Sequence, residues 1–165
     1  MKIFDTSSII CLLREANCSK TLNICKKHGY QLAVTKQVYE ELMYNPESLK
    51  LFQSFDGFSV IDEHDPDCFS KFEKRYPWLH KGEISVLCTG ISRKQNNRNY
   101  HCVIDEKARN LKDEYELKVN GTIGLLLWQK NQLKELTSSD CTELYDTIKK
   151  SSFWISEDIL QELLQ

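Results

Sequence analysis

From Lys2 to Asn120 the chain alternates short apolar runs with longer stretches of helical periodicity. Strands are predicted at residues 2–5 (KIFD), 30–35 (YQLAVT), 58–62 (FSVID), 97–105 (NRNYHCVID) and 116–120 (ELKVN). Helical patterns fill the intervals at 6–15, 19–29, 36–45, 47–55, 65–77, 80–95 and 106–115. Further helices are predicted at 121–133, 139–150 and 156–164. Strands separated by helices cannot be joined by hairpins, so they assemble as parallel neighbours linked by right-handed crossovers. The expected fold class is a three-layer α/β/α arrangement around a parallel sheet of about five strands. With 165 residues, the chain is expected to form one domain spanning residues 1–165.

Punctuation residues sharpen several boundaries. Ser19 is placed to cap the second helix, and Gly29 to stop it after Lys26, Lys27 and His28. Asp65-Pro66 opens another helix, and Gly121 and Thr122 are expected to turn and cap a third. Gly82 is expected to turn the chain just before Glu83.

A chain that is 41% hydrophobic and 28% charged has the composition of a soluble globular protein. No apolar run approaches the roughly 20 residues needed to span a bilayer. The opening MKIFDTSSII has no apolar segment of signal-peptide type. The expectation is therefore a cytoplasmic protein with no membrane partner. Seven cysteines occur without a Cys-x-x-Cys pair, which removes zinc-ribbon and thioredoxin motifs and favours reduced thiols, several of them in the core. A net charge of −2 lacks the overall basic signature of a nucleic-acid binder. Local basic runs exist at Arg93, Lys94 and Arg98 and at Lys107, Arg109 and Lys112.

Two of the apolar runs stop abruptly at an acid, Asp5 and Asp105. Either aspartate alone is explained by helix capping. In an open parallel sheet, however, ligands bind beyond the carboxyl ends of the strands where strand order reverses. If these two strands are neighbours there, both carboxylates enter one crevice. Glu83, at the start of a helix, and the pair Glu40 and Glu41 are further candidates. Dipole stabilisation or a solvated helix face would account for each singly. A cluster of such acids repels itself unless a cation compensates it, and hard oxygens select Mg²⁺ or Mn²⁺. Such an ion activates water and offsets the charge of a phosphodiester.

These residues resemble the PIN-domain nucleases, in particular the VapC-like group. IFDTSSII resembles that family's first acidic motif, with Asp5 followed by Thr6 and Ser7. VTKQVYEEL is similar to the second, which places the match on Glu41 rather than Glu40. KGEISVL resembles the Gly-Glu motif at Glu83, and VIDEKAR the motif at Asp105. Glu106 stands where relatives often have a second aspartate, so Asp105 and Glu106 are alternative ligands there. GTIGLLLW and SSFWISEDILQELL are similar to segments of one VapC-like branch. The resemblance runs nearly end to end.

It implies an Mg²⁺- or Mn²⁺-dependent endoribonuclease with Asp5, Glu41, Glu83 and Asp105 as catalytic metal ligands. Thr6 or Ser7 would orient a water or a carboxylate; apart from the resemblance, Arg109, in a local basic run, and Thr122, whose segment could present backbone N–H groups to a phosphate, are candidate phosphate contacts. The group's partners are an RNA substrate, often a cognate antitoxin, and commonly a second copy in a homodimer. The rivals are a non-catalytic PIN-like module that binds RNA or protein, and a DNA-directed metal nuclease. No P-loop, dinucleotide fingerprint or serine-hydrolase elbow is present, and the four histidines lack ligand spacing. Trp78, Trp128 and Trp154 are expected in core or dimer packing.

Overall fold

The structure, a computed structural model, describes residues 1–105, 107–153 and 155–165. Glu106 and Trp154 therefore lie outside the described residues. Among the described residues a parallel five-stranded sheet runs β3-β2-β1-β4-β5, with β1 Lys2–Phe4, β2 Leu32–Thr35, β3 Phe58–Ile61, β4 His101–Val103 and β5 Val119–Asn120. Helices cover both faces, as parallel sheets require, giving the three-layer α/β/α architecture of the expected class. They are α1 Thr6–Ile10, α2 Ser19–Lys27, α3 Lys36–Met43, α4 Pro46–Ser54, α5 Pro66–Arg75, α6 Lys81–Gln95, α7 Thr122–Asn131, α8 Ser138–Lys150 and α9 Glu157–Gln161. None is long and apolar enough to cross a membrane.

Strand order carries the functional geometry. From β1 the chain steps outward to β2 and β3, then returns to the other side of β1 for β4 and β5. The order reverses between β1 and β4, whose register pairs Phe4 with Val103. The Asp5 N–H continues that ladder by donating to Val103 O at 3.0 Å. Both strands are buried from end to end, apart from partly buried His101, which is why they read as unbroken apolar runs. Side chains from Phe4, Leu12, Leu32, Leu87 and Ile104 join one continuous apolar core. Each such burial contributes roughly 1.5–3 kcal/mol.

α6 is buried along most of its length and packs against α3, α5, β2 and β4. Its polar core face is satisfied internally: Thr35 and Ser85 share a hydrogen bond of 2.5 Å, and Thr89 Oγ1 donates to Ser85 O. This helix is the platform that presents Glu83.

Several local expectations are corrected. The segment predicted as a helix over 106–115 is a 3₁₀ stretch, Lys107–Lys112. Its two buried residues, Ala108 and Leu111, stand three apart, the spacing that eclipses on a 3₁₀ turn. The fourth strand is shorter than 97–105, because Asn97 adopts φ 52° in a turn after α6. Ser19 is the first residue of α2 rather than its cap; Cys18 holds that position, its sulfur 3.1 Å from Thr21 Oγ1. The helix predicted over 6–15 is α1 followed by a π-helical turn, Cys11–Glu15.

The cysteines are free thiols, buried except for half-buried Cys68. Trp78 is 48% exposed, contrary to core packing, whereas Trp128 packs edge-on against Tyr30.

Candidate active site

Asp5 ends the first strand and caps the first helix at once. Its backbone is extended, and its Oδ1 accepts from the Ser8 N–H at 2.8 Å. The capping and functional readings of Asp5 are thus compatible: one carboxylate oxygen anchors the helix, and the other faces Asp105. Oδ2 accepts from the Asp105 N–H at 3.2 Å. The two residues, a hundred positions apart, meet at the reversal of strand order.

The Asp105 carboxylate is held from two sides. Ser8 Oγ donates to its Oδ2 at 3.1 Å and also lies 3.2 Å from Val103 O. From the start of α7, the Thr122 N–H donates to Oδ1 at 2.9 Å, and Thr122 Oγ1 donates to Oδ2. Thr122 therefore holds the Asp105 carboxylate and is not the helix cap; Gly121 occupies the capping place. Two side chains approach Gly121 closely enough that any Cβ there would displace them. A Cβ on Gly121 would lie 2.7 Å from both Asp105 Oδ1 and Arg109 Nη1.

Asp5, Thr6, Ser7, Glu41, Tyr44, His80 and Glu83 line one surface cavity of about 320 Å³. Glu41 reaches it from α3 and is fixed from two directions. Thr6 Oγ1 donates to its Oε2, and the Gly82 N–H donates to its Oε1 at 2.7 Å. Gly82 lies inside α6, so its role is not the expected turn. Its bare Cα leaves room for the Glu41 carboxylate, which a Cβ would meet at 2.4 Å. Glu83, 8% exposed, accepts from the His80 N–H at 2.8 Å across the first turn of α6.

Of the residues singled out from sequence, Asp5, Thr6, Ser7, Glu41 and Glu83 share this cavity. Asp105 joins it through Asp5, and it lines a second cavity with Lys107, Arg109, Phe153, Ile155 and Ile159. Thr6 Oγ1 donates to the Glu41 carboxylate, and Ser7 lines the cavity. Sequence reasoning missed Ser8, Tyr44 and the backbone of Gly82. An Asp at a helix cap brings the N–H of the residue three positions on to its carboxylate, which accounts for the Ser8 N–H but carries no signal for the Oγ contact with Asp105. The basic run at 93–98 is largely committed to structure: Arg93 Nε lies 2.9 Å from Glu63 Oε2, and Lys94 Nζ 2.8 Å from Glu116 Oε2.

Electrostatics mark the centre of the site. Asp5 is 1% exposed. Burial, then the neighbouring Asp105 charge, push its carboxyl well above the usual carboxylate range, against hydrogen bonds that lower it. A carboxylate kept dehydrated beside a second one gains strongly from a compensating cation. All four acids offer hard oxygen donors, the type that suits Mg²⁺ or Mn²⁺. Among the described residues, no three His, Cys, Asp or Glu side chains are grouped closely enough to hold an ion as they lie. Each carboxylate has about four acceptor positions, so one or two amide or hydroxyl contacts leave capacity for a ligand. In donor chemistry and in the buried apposition of Asp5 and Asp105, the site fits a divalent cation.

A family model described as a PIN domain matches residues 1–165. The chain belongs to the PIN-domain family. Neither a curated protein nor a solved structure matches it. PIN domains are generally nucleases that use divalent metal ions, so the family places a nucleic acid as the substrate class.

Proposed function

We propose that this PIN domain is an Mg²⁺- or Mn²⁺-dependent endoribonuclease whose catalytic metal ligands are Asp5, Glu41, Glu83 and Asp105. The observation that carries this reading is the buried apposition of Asp5 and Asp105 at the strand-order reversal, beside a cavity that Glu41 and Glu83 share. A divalent cation held there would supply Lewis acidity and offset the charge of a phosphodiester.

The protein's own residues provide preorganisation. Ser8 and Thr122 fix the Asp105 carboxylate, while Thr6 and the Gly82 amide fix Glu41. Ser8 N–H fixes Asp5. Donors that need not reorganise during reaction are worth more than mobile ones. Tyr44, 90% exposed at the cavity, offers a ring face on which an unpaired base can stack. Arg109 and Lys107, beside Asp105, would take flanking phosphates.

The choice of RNA, a toxin role with a cognate antitoxin, and homodimerisation rest on the resemblance to VapC-like ribonucleases. Single-stranded RNA and DNA of one sequence, incubated with protein and Mn²⁺, test the substrate assignment. RNA is expected to be cut internally, with DNA intact and all cleavage stopped by chelator. Equal cleavage of DNA would make it a general nuclease. Intact RNA across structured and unstructured substrates would favour a binding module.

A further inference from the structure

Away from the acidic site, α5 and α6 bring two thiols into contact. Cys68 Sγ lies 2.8 Å from Cys88 Sγ. A covalent S–S bond is ~2.05 Å long, so the sulfurs need approach by less than ~1 Å to bond. Cys68 is half-buried and borders a surface cavity of about 410 Å³ that Cys88, Lys71, Arg75 and Tyr115 also line. A small oxidant therefore has a route to one sulfur, with the second waiting behind it.

We propose that Cys68 and Cys88 are a peroxide-sensitive pair that closes to a disulfide joining α5 to α6. The reaction needs one hydrogen peroxide. The Cys68 thiolate attacks a peroxide oxygen, the O–O bond breaks, and Cys68 becomes a sulfenic acid while hydroxide leaves and is protonated to water. The Cys88 sulfur then attacks the Cys68 sulfur. The S–O bond breaks, and the hydroxide departs as water with the Cys88 proton. Two thiols lose two electrons, and one peroxide becomes two waters.

The assignment of roles follows from surroundings. The Cys88 contact holds the Cys68 thiol below its usual range despite burial, and the nearby Lys71 charge acts in the same direction, against Asp65. The same contact, with burial, pushes Cys88 up. The exposed member is the better thiolate and the buried member keeps its proton, which suits attack by the first and resolution by the second. The other cysteines, at positions 11, 18, 25, 102 and 141, are buried.

The test treats the full chain with equimolar hydrogen peroxide, alkylates it under denaturing, non-reducing conditions, and maps its peptides. Loss of two alkylatable thiols out of seven is expected, with one linked pair containing Cys68 and Cys88 and recovery after dithiothreitol. In Cys68→Ser the bridge is lost. In Cys88→Ser oxidation halts at a Cys68 sulfenic acid that dimedone captures. Seven alkylated thiols after exposure, or a bridge between other cysteines, would overturn the proposal.

Discussion

Asp5→Asn is expected to lose at least ~100-fold in RNA cleavage while making the chelator-treated protein more stable than wild type at neutral pH. The loss follows because even residues that only orient metal ligands cost up to about 100-fold when removed, and Asp5 is assigned as a ligand itself. The gain follows from burial. The folded protein raises the Asp5 carboxyl above its unfolded value, so the folded state binds more protons over that interval. Wild-type stability without metal is therefore complete below the ordinary carboxylate range and falls as pH rises through the raised folded value. Asparagine carries no charge to bury and remains a good helix cap. It gives up one weak contact, the 3.2 Å bond from the Asp105 N–H. Relief of an uncompensated buried charge outweighs one long hydrogen bond, for a net gain on the order of 1 kcal/mol. Urea denaturation in chelator at pH 5 and pH 8 measures it. Wild type should weaken between the two, and Asp5→Asn should change less. A variant that is less stable at pH 8 and still cleaves RNA would remove both halves of the argument.

Gly82→Ala is the second large effect, and it also separates function from fold. The added Cβ would stand 2.4 Å from Glu41 Oε2 and 2.9 Å from its Cδ. Those atoms end a flexible side chain, so the protein accommodates the methyl by moving the carboxylate. Alanine within a helix also gains up to ~1 kcal/mol over glycine. Stability should hold or rise slightly. Activity should fall by about 100-fold, the cost expected from displacing a catalytic group by about an ångström. Parallel measurement of thermal unfolding and initial cleavage rate checks the pair. Full activity in this variant would show that the position of Glu41 does not matter to catalysis.

The legible and illegible parts of this fold divide along physical lines. KIFD and HCVID announced buried parallel strands because both their faces are covered, and their terminal aspartates could be matched to the strand-order reversal. Glu83 and the pair Glu40 and Glu41 are candidates by residue type alone, but only the family resemblance separates Glu41 from Glu40, because a glutamate on a helix looks like a solvated one. The contributions of Ser8 and Thr122 depend on which carboxylate lies across the crevice, a long-range fact that local pattern does not carry. By local sequence Gly82 and Gly121 suit turns, the usual reason for glycine. Here each clears space for a carboxylate from a distant segment. The 3₁₀ stretch after β4 was hidden for a similar reason, since an apolar spacing of three fits either helix type over so short a length.

On the proposed function, a divalent cation is held between Asp5 and Asp105 with help from Glu41 and Glu83. Titration of the chelator-stripped protein with Mn²⁺, followed by the loss of the free-ion electron paramagnetic resonance signal, tests it most directly. Saturable binding is predicted, tighter at pH 8 than at pH 6 because the ion displaces the proton held by the buried Asp5 carboxyl, and abolished in Asp5→Asn and Asp105→Asn. An undiminished free-ion signal with wild type, or equal binding by both variants, would contradict the account.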